Sequence, residues 1–406
     1  MPPPSFQKLR CPGHSVKAFL AAVAIFTCIN ICRLAMLMDT GGSELFTIAD
    51  AALPSTRLVN ISIVQISDDS SRKKLAPNLE NLNCYARLQG YQIILANIDK
   101  DCRQKTKDIH FLRQCTVHRL MMNAKNQGST LPSVTRDHWF LVLDGDIAVI
   151  NPNHRIEEYI EASRNRYEGD VIHGLRFHNN EVTACIYLVK NSQFGREYVR
   201  SWSDLYPEQY HHQLGNSDIK MHYGGANSDN GALYWHLLQY LTDADVPGQQ
   251  ECLQAGQNAN KSETHATYIA FVTCFHKVAK QTRCRGREWD RIDILPRRRN
   301  IAVDGWPFGW QFSDHSFMQH TIKSPPMRIP AAHSIYRPTA VRGRWPPPIF
   351  SCSLSSHDPL AYRMDEFYVN ETYFAAMEEW ADTMQRKKRN NNPLSWDDNS
   401  CIQSGR

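Results

Sequence analysis

The sequence lacks any large region of a single charge. Its formal net charge is only +5 over 406 residues, and its densest basic clusters, Arg297-Arg298-Arg299 and Arg386-Lys387-Lys388-Arg389, are short. Solvated loops and helix ends commonly carry clusters of this size, whereas nucleic-acid-binding surfaces carry larger ones. We therefore expect no DNA or RNA partner.

Metal-binding cysteine pairs and internal repeats are also missing. No C-x-x-C occurs among the twelve cysteines, which argues against a zinc site. The hydrophobic fraction of 42% and the charged fraction of 21% are those of a folded globular protein rather than a disordered one. A chain of 406 residues is long enough for one large or two ordinary domains.

One long apolar segment is present near the N-terminus. Residues 18–38 contain Arg33 as their one charged residue and are just long enough to cross a bilayer. Lysines and arginines before the segment predict a cytoplasmic N-terminus and a lumenal remainder. We therefore interpret 1–17 as a cytoplasmic tail, 18–38 as a transmembrane signal anchor and 39–56 as a stem. A secreted form, cleaved near residue 42, is the alternative.

Sequons and cysteines fit a lumenal chain. Three N-x-S/T sequons begin at Asn60, Asn260 and Asn370, where we predict N-glycosylation. Nine cysteines follow the apolar segment, and an oxidising compartment would pair some of them. Because nine is odd, at least one is expected to be free or intermolecular. These features favour a single-pass type II protein of the Golgi or endoplasmic reticulum membrane.

The most informative feature of the chain is Asp144-Gly145-Asp146. It lies between two apolar runs, 138–143 and 147–150, and Asn151-Pro152 ends the second. Short apolar runs with a proline stop are typical of buried strands in an α/β sheet. Carboxylates this close repel each other, and a divalent cation such as Mn²⁺ or Mg²⁺ removes the conflict while also binding phosphate oxygens. The triplet therefore indicates a metal–nucleotide-diphosphate site, with a solvated turn as the alternative.

The remaining pattern predicts alternating strands and helices. Strands are expected at 58–66, 91–96, 170–174 and 183–189, and helices at 78–89, 109–124, 194–205, 230–241 and 371–386. This alternation indicates a mainly parallel, doubly wound sheet, in which ligands bind beyond the carboxyl ends of the strands. Asp144 and Asp146 fall at such a position. Residues 246–351, rich in Pro, Gly and Arg, are expected to be mostly loops.

Several segments together resemble the GT-A glycosyltransferases. Residues 139–152 (WFLVLDGDIAVINP) resemble the metal-binding strand of those enzymes, 180–192 their next sheet segment and 225–232 (GANSDNGA) their D-N/Q helix start. The chain is most similar to an uncharacterised GT-A-like domain family expanded in nematodes, which is related to the family 34 galactosyl-, mannosyl- and xylosyltransferases. The resemblance covers residues 58–325.

The resemblance implies an α/β fold of the GT-A (nucleotide-diphospho-sugar transferase) class, with a doubly wound mixed sheet. It places the catalytic domain at 57–350 and leaves 351–406 as a C-terminal extension with one helix. The implied activity is metal-dependent transfer of a hexose from a nucleotide-diphosphate sugar donor to a glycan or glycoprotein acceptor, with retention of anomeric configuration.

The resemblance also implies a metal site. Asp144 and Asp146 would bind Mn²⁺ (or Mg²⁺), and Asp144 would alternatively bind the nucleotide ribose. Residues 318–325 resemble a His-x-x-Lys-x-Pro ending, which indicates His320 as a further ligand. Lys323 would then reach the diphosphate. His315 is the second choice for the ligand.

Other candidate residues follow from the same motifs. Glu181, Asp229 and Asn230 are candidate catalytic residues that would hold the acceptor hydroxyl or the donor sugar; Arg113 and Arg119 are candidates for the nucleotide phosphates, and Trp306 and Trp310 for stacking on a sugar. Five of these residues have a structural alternative. The arginines are equally typical of a solvated helix face, Asp229 of a helix cap and the tryptophans of a core.

One position departs from the family pattern. Cys185-Ile186 occupies the place of a usual small Gly-Ser pair, and the added volume would narrow the sugar pocket. A diverged, non-catalytic lumenal carbohydrate-binding or scaffold protein is therefore the alternative function. A phosphatase of the HAD type also starts from D-x-D after a strand, but it requires Thr where this chain has Ala148.

Overall fold

The computed structural model describes residues 59–105, 109–126, 138–164, 169–177, 179–205, 229–240, 248–262, 265–283, 288–304, 313, 315–320, 372, 375, 376, 379 and 383. The chain divides after Arg57, and all of these residues belong to the unit Leu58–Arg406. The predicted tail, anchor and stem lie outside the described residues. Within the described ranges, no helix has both the length and the apolar character needed to cross a membrane.

The described residues form nine strands and nine α-helices. The strands are β1 (Asn60–Ile66), β2 (Gln92–Ala96), β3 (His138–Leu143), β4 (Ala148–Val149), β5 (Val171–Gly174), β6 (Ile186–Lys190), β7 (Ile292–Leu295), β8 (Ala302–Asp304) and β9 (Met318–His320). The helices are α1 (Asp69–Lys74), α2 (Ala76–Gln89), α3 (Lys100–Lys105), α4 (Ile109–Asn126), α5 (Ile156–Arg164), α6 (Gln193–Ser203), α7 (Asp229–Tyr240), α8 (Gln249–Ser262) and α9 (His265–Arg283).

Six strands form a mixed central sheet in the order β2-β1-β3-β6-β5-β7. β1 is parallel to β2 and β3, β6 is antiparallel to β3 and β5, and β7 is parallel to β5. The sequence pattern predicted a mainly parallel sheet, and this prediction was wrong at β6. The connection from β5 to β6 contains no helix and returns the chain in the opposite direction, whereas a parallel neighbour needs a longer crossover.

The apolar residues of β3 supply both faces of the sheet. Trp139, Leu141 and Leu143 pack in one core cluster, together with residues of α2 and α5. Phe140 and Val142 point to the opposite face and pack in a second cluster, with residues of α4, α6, α7 and α9. A strand buried on both faces explains why this segment is continuously apolar rather than alternating.

A small second sheet has the strand order β4-β9-β8. β9 is antiparallel to β4, which begins two residues after Asp146, and parallel to β8. The register of β8 and β9 pairs Asp304 with His320. The second sheet therefore brings a late segment of the chain to the turn after β3.

The expectation of loops over 246–351 was wrong for much of that range. It contains α8, α9 and three strands. Buried residues recur along α9 every three or four positions, as in Tyr268, Phe271, Phe275 and Val278, and this spacing is typical of a packed helix. The helical period was present, but the many Pro, Gly and Arg residues farther along obscured it.

Disulfide bonds join neighbouring helices. Cys102 in α3 is bonded to Cys115 in α4, and Cys252 in α8 is bonded to Cys274 in α9. Cys84 is also disulfide-bonded. Within the described residues, the buried Cys185 is the free cysteine.

Candidate functional site

The turn after β3 is tightly held. The backbone N–H of Asp144 donates to the carbonyl of Cys185 at 2.9 Å, and the N–H of Ile147 donates to the carbonyl of Asp144 at 3.3 Å. Gly145 packs against Leu75 so closely that an added Cβ would lie 2.6 Å from Leu75 Cδ1. The turn therefore presents the two aspartates at the carboxyl end of the central sheet.

Asp144, Asp146 and His320 converge at this edge. The Nε2 atom of His320 lies 3.7 Å from Asp144 Oδ2 and 3.4 Å from Asp146 Oδ1, and one ligand atom from each residue lies within 4.8 Å of the others. The predicted proximity of His320 to the two aspartates is confirmed, while its role as a metal ligand stays a prediction. His315, the second choice, is exposed in a turn.

His320 is oriented by its cross-strand neighbour Asp304. The Nδ1 atom of the ring lies 2.8 Å from Asp304 Oδ1. Because a carboxylate can only accept a hydrogen bond, Nδ1 carries the proton, and a neutral ring then presents the lone pair of Nε2 to the two aspartates. This is the ring orientation that a metal ligand requires.

The charges around His320 favour its protonated form when no metal is bound. Burial lowers the pKa of His320, but Cys185 and the carboxylates of Asp146 and Asp304 raise it, and the net pKa is well above the usual range. The ring therefore carries a positive charge next to two carboxylates. A divalent cation would take over this role and displace the proton from Nε2.

Arg113 connects the cluster to the start of α7. This residue of α4 is buried, and its guanidinium forms an ion pair with Asp144 and another, at 3.2 Å, with Asp229. The same group donates to the carbonyl of Ala184 at 2.7 Å. The buried guanidinium of Arg113 thus holds two carboxylates that the sequence predicted, Asp144 and Asp229.

Asn230 is engaged with the backbone. Its Oδ1 atom accepts a hydrogen bond from the N–H of Ala184 at 2.8 Å. Asp229 is the first residue of α7, and its Oδ1 accepts a hydrogen bond from the N–H of the next residue, Asn230, at 3.0 Å. The other oxygen of Asp229 faces Arg113, and His110 lies 4.0 Å away.

Glu181 is enclosed by other side chains. It accepts hydrogen bonds from the Tyr268 hydroxyl and from Asn179 Nδ2 (3.2 Å), and Arg176 Nε lies 3.5 Å from its Oε2 atom. Arg176 Nη1 also lies 3.8 Å from Asp304 Oδ2. Glu181 is only 5% exposed, so this carboxylate balances Arg176 in the interior.

Of the other sequence-predicted residues, some lie elsewhere in the described structure and the rest lie outside the described residues. Arg119 forms an ion pair with Asp101 at 2.6 Å at the surface, as its solvated alternative predicted. Asn60 begins β1 and is exposed, and Asn260 lies in α8. Trp306, Trp310, Lys323 and Asn370 lie outside the described residues.

The sequence reasoning missed Asp304 and Arg176. One signal for Asp304 was available, because Ala302-Val303-Asp304-Gly305 repeats the apolar–Asp–Gly pattern of Val142-Leu143-Asp144-Gly145. No comparable local signal marks Arg176, which joins the site through contacts distant in the sequence.

Fold and site define a mixed α/β protein with a carboxylate–histidine cluster beyond the end of a central strand. The chain belongs to the family described as "Protein of unknown function, DUF273", whose model matches residues 82–336. That description assigns no activity, and no curated protein matches the chain.

Two solved structures that resemble the chain are glycosyltransferases. One is a glycosyltransferase involved in the glycosylation of the major capsid of PBCV-1, at 13% identity and a TM-score of 0.37, over 64% of this chain and 93% of that one. The other is a mutant of Drosophila β-1,4-galactosyltransferase 7 in complex with manganese, UDP-Gal and xylobiose, at 12% identity and a TM-score of 0.23. This second likeness covers 45% of this chain and 62% of that one.

Proposed function

We propose that this protein is a metal-dependent glycosyltransferase that moves a hexose from a nucleotide-diphosphate sugar to a glycan or glycoprotein acceptor. The observation that carries the proposal is the convergence of Asp144, Asp146 and His320 beyond the carboxyl end of β3. Ligands of α/β proteins bind at this edge of the sheet.

The donor atoms of this cluster fit Mn²⁺ or Mg²⁺. Carboxylate oxygens are the preferred protein ligands of both ions, and one imidazole nitrogen is compatible with Mn²⁺. Three side chains leave positions open around a six-coordinate ion, and diphosphate oxygens would occupy them. The bound metal would neutralise the negative charge of the diphosphate leaving group.

The local charge balance supports a divalent cation. Five carboxylates of the network face three positive groups: Asp144, Asp146, Asp229, Asp304 and Glu181 on one side, and Arg113, Arg176 and the protonated ring of His320 on the other. The cation would offset the remaining negative charge, which would otherwise repel an anionic donor.

The chain's own residues would then orient the reactants. Arg113 holds Asp144 towards the cluster, and Asn230 anchors the start of α7 to the β5–β6 connection. Asp229 is the carboxylate we assign to the donor sugar or acceptor hydroxyl, because its Oδ2 atom is shared with the half-exposed His110. Retention of anomeric configuration is part of the proposal and rests on the resemblance to family 34.

A non-catalytic carbohydrate-binding or scaffold role is the second candidate. The observation that favours it is the enclosure of Glu181, a predicted catalytic residue, by Tyr268, Asn179 and Arg176. Such a protein would bind a glycan without turning over a donor.

We further propose a type II topology, with 18–38 as the anchor and the folded unit in the lumen of the Golgi or endoplasmic reticulum. The disulfides Cys102–Cys115 and Cys252–Cys274 support an oxidising compartment.

The function is tested with the full-length chain in detergent, incubated with a panel of nucleotide sugars with and without Mn²⁺. The expected result is metal-dependent release of nucleoside diphosphate, with Asp146→Asn lowering Mn²⁺ affinity at least about tenfold by calorimetry, since it removes a charged ligand. Asp101→Asn is the matched control because Asp101 is an exposed, arginine-paired carboxylate. Equal Mn²⁺ affinity in the wild type and Asp146→Asn would refute the proposal, and metal binding without turnover of any donor would favour the non-catalytic role.

A further inference from the structure

Asp304 and Arg176 form a chain of contacts behind His320. Asp304 is 3% exposed, and its two oxygens have different partners: Oδ1 lies 2.8 Å from His320 Nδ1, and Oδ2 lies 3.8 Å from Arg176 Nη1. Arg176 in turn lies 3.5 Å from Glu181. The contacts therefore run from the metal cluster into the interior.

Arg176 is the positively charged member of this series of contacts, between Asp304 and Glu181. Charged partners on both oxygens fix the orientation of a buried carboxylate, and Asp304 has His320 on Oδ1 and Arg176 on Oδ2. Arg176 lies between Asp304 and Glu181, and its guanidinium places a positive charge beside both carboxylates. Glu181 is held in place by Tyr268 of α9.

The turn that carries Arg176 is also tied to α9. The N–H of Arg176 donates to the carbonyl of Glu181 at 2.7 Å, and the N–H of Asn180 donates back to the carbonyl of Arg176 at 3.0 Å. Asn180 has a φ of +59°, an uncommon value for a residue other than glycine. Its carbonyl oxygen accepts a hydrogen bond from His276 Nε2 at 2.8 Å. Surrounding contacts thus impose a specific conformation on this turn.

We propose that Asp304 and Arg176 are positioning residues for metal binding: Asp304 orients His320 so that Nε2 faces the metal, and Arg176 holds the second oxygen of Asp304. The inference rests on the proposed metal site. Helix α9 holds Glu181 through Tyr268 and the turn that carries Arg176 through His276.

The principal test is Asp304→Asn, which keeps the size of the side chain but removes its charge. The new amide can donate a hydrogen bond to His320 Nδ1, which would move the ring proton to Nε2, the atom that faces the metal. We expect Mn²⁺ affinity to fall about 10- to 100-fold, the effect typical of losing a residue that orients a ligand. Asp170→Asn is the matched control, because Asp170 is also a buried carboxylate paired with an arginine, Arg291. It precedes β5, at the opposite end of the strand from Arg176.

A spectroscopic measurement separates orientation from general damage. In protein labelled with ¹⁵N-histidine, spin-echo spectra of bound Mn²⁺ should show a nitrogen coupling in the wild type and in Asp170→Asn. The coupling should be lost in His320→Gln and lost or weakened in Asp304→Asn. Arg176→Met should reduce Mn²⁺ affinity more than Arg176→Lys, because lysine keeps the positive charge. This pair of variants tests the proposal if Asp304→Asn does not fold.

The outcomes distinguish the two proposals. Absence of Mn²⁺ binding by the wild type would overturn the metal site and with it the proposed function. Binding by the wild type with unchanged affinity and coupling in Asp304→Asn would overturn the positioning role alone. An equal loss in Asp170→Asn would also overturn it, because the effect would then be a general loss of stability.

Discussion

The guanidinium of Arg113 lies between two carboxylates, Asp144 and Asp229, and is almost excluded from water. Removing one partner of a buried ion pair leaves an uncompensated charge in the interior, which is far more destabilising than losing a surface pair. Arg113 and Arg119 lie on the same helix, so they offer a direct comparison of the two cases.

We expect Arg113→Met to lower the free energy of unfolding by about 3 kcal/mol, and Arg119→Met to lower it by less than about 1 kcal/mol. Urea denaturation in the presence of a chelator measures both. Added Mn²⁺ should restore part of the stability of Arg113→Met, because the ion neutralises Asp144. Similar losses in the two variants would show that the Arg113 pairs contribute little.

Among the individual residues of the cluster, those that belong to a short sequence motif could be predicted from the sequence. Asp144 and Asp146 follow an apolar strand, and His320 belongs to a recognisable ending, so all three were found. Arg176 and the pairing of His320 with Asp304 depend on the register of β8 and β9 and on the turn after β5. Neither is encoded by a nearby residue pattern.

Helix α6 shows how an element is held against the sheet. Three aromatic residues one turn apart, Phe194, Tyr198 and Trp202, are buried on one side of the helix. Gly195 lies in the first turn of the helix, where an added Cβ would be 2.1 Å from the carbonyl oxygen of Lys190 at the end of β6. A backbone atom of a buried strand end cannot move aside as a flexible side chain can.

Gly195→Ala should therefore separate α6 from β6 and lower stability by roughly 2 kcal/mol, although Ala is the better helix former. Thermal unfolding followed by circular dichroism measures the effect. Glu197→Ala is the control on the same helix, since Glu197 forms only an exposed pair with Arg200. A Gly195→Ala protein as stable as the wild type would contradict the close contact.

Elements with a clear period were predicted well. The helix expected at 78–89 is α2, which ends at Gly90 with a φ of +66°, and the strand expected at 58–66 is β1. The antiparallel direction of β6 and the helices α8 and α9 were missed. Strand direction depends on the connection between strands, which apolar patterning does not reveal.

Buried histidines give the whole molecule a pH-dependent stability. Burial lowers the pKa of His173 to about 4 and that of His138 to about 4, and burial with the nearby His173 lowers the pKa of His236 to about 3. In the unfolded chain these rings titrate near pH 6.5, so the unfolded state binds more protons between about pH 6.5 and 4. Stability is therefore complete above this window and is lost as the pH falls through it.

The free energy of unfolding should thus decrease from about pH 6.5 to 4, with each fully buried ring contributing on the order of 3 kcal/mol. His236→Phe keeps the aromatic packing against Tyr198 and Trp202 and should reduce this dependence. Denaturation at several pH values in EDTA provides the measurement. An unaltered slope in His236→Phe would contradict the assignment.

The proposed topology is tested on the chain made in a eukaryotic cell. If 18–38 is an anchor, the sequons at Asn60, Asn260 and Asn370 enter the lumen, and glycosidase treatment should increase gel mobility. The protein should stay in the membrane pellet through a carbonate wash. Mobility unchanged by glycosidase would contradict lumenal placement, and recovery in the soluble fraction would favour the cleaved form.

The second sheet has a consequence for how the protein is made. Asp144 and Asp146 leave the ribosome long before Asp304 and His320, and β9 must return to pair with β4 before the cluster is complete. Such long-range pairing is slow to form, because closing the long loop costs chain entropy before the contacts between the strands can offset that cost. A metal ion held by all three residues would stabilise only the fully assembled chain. Metal occupancy would then report completed folding, and a chain that stops before β8 would contain the D-x-D triplet but no site.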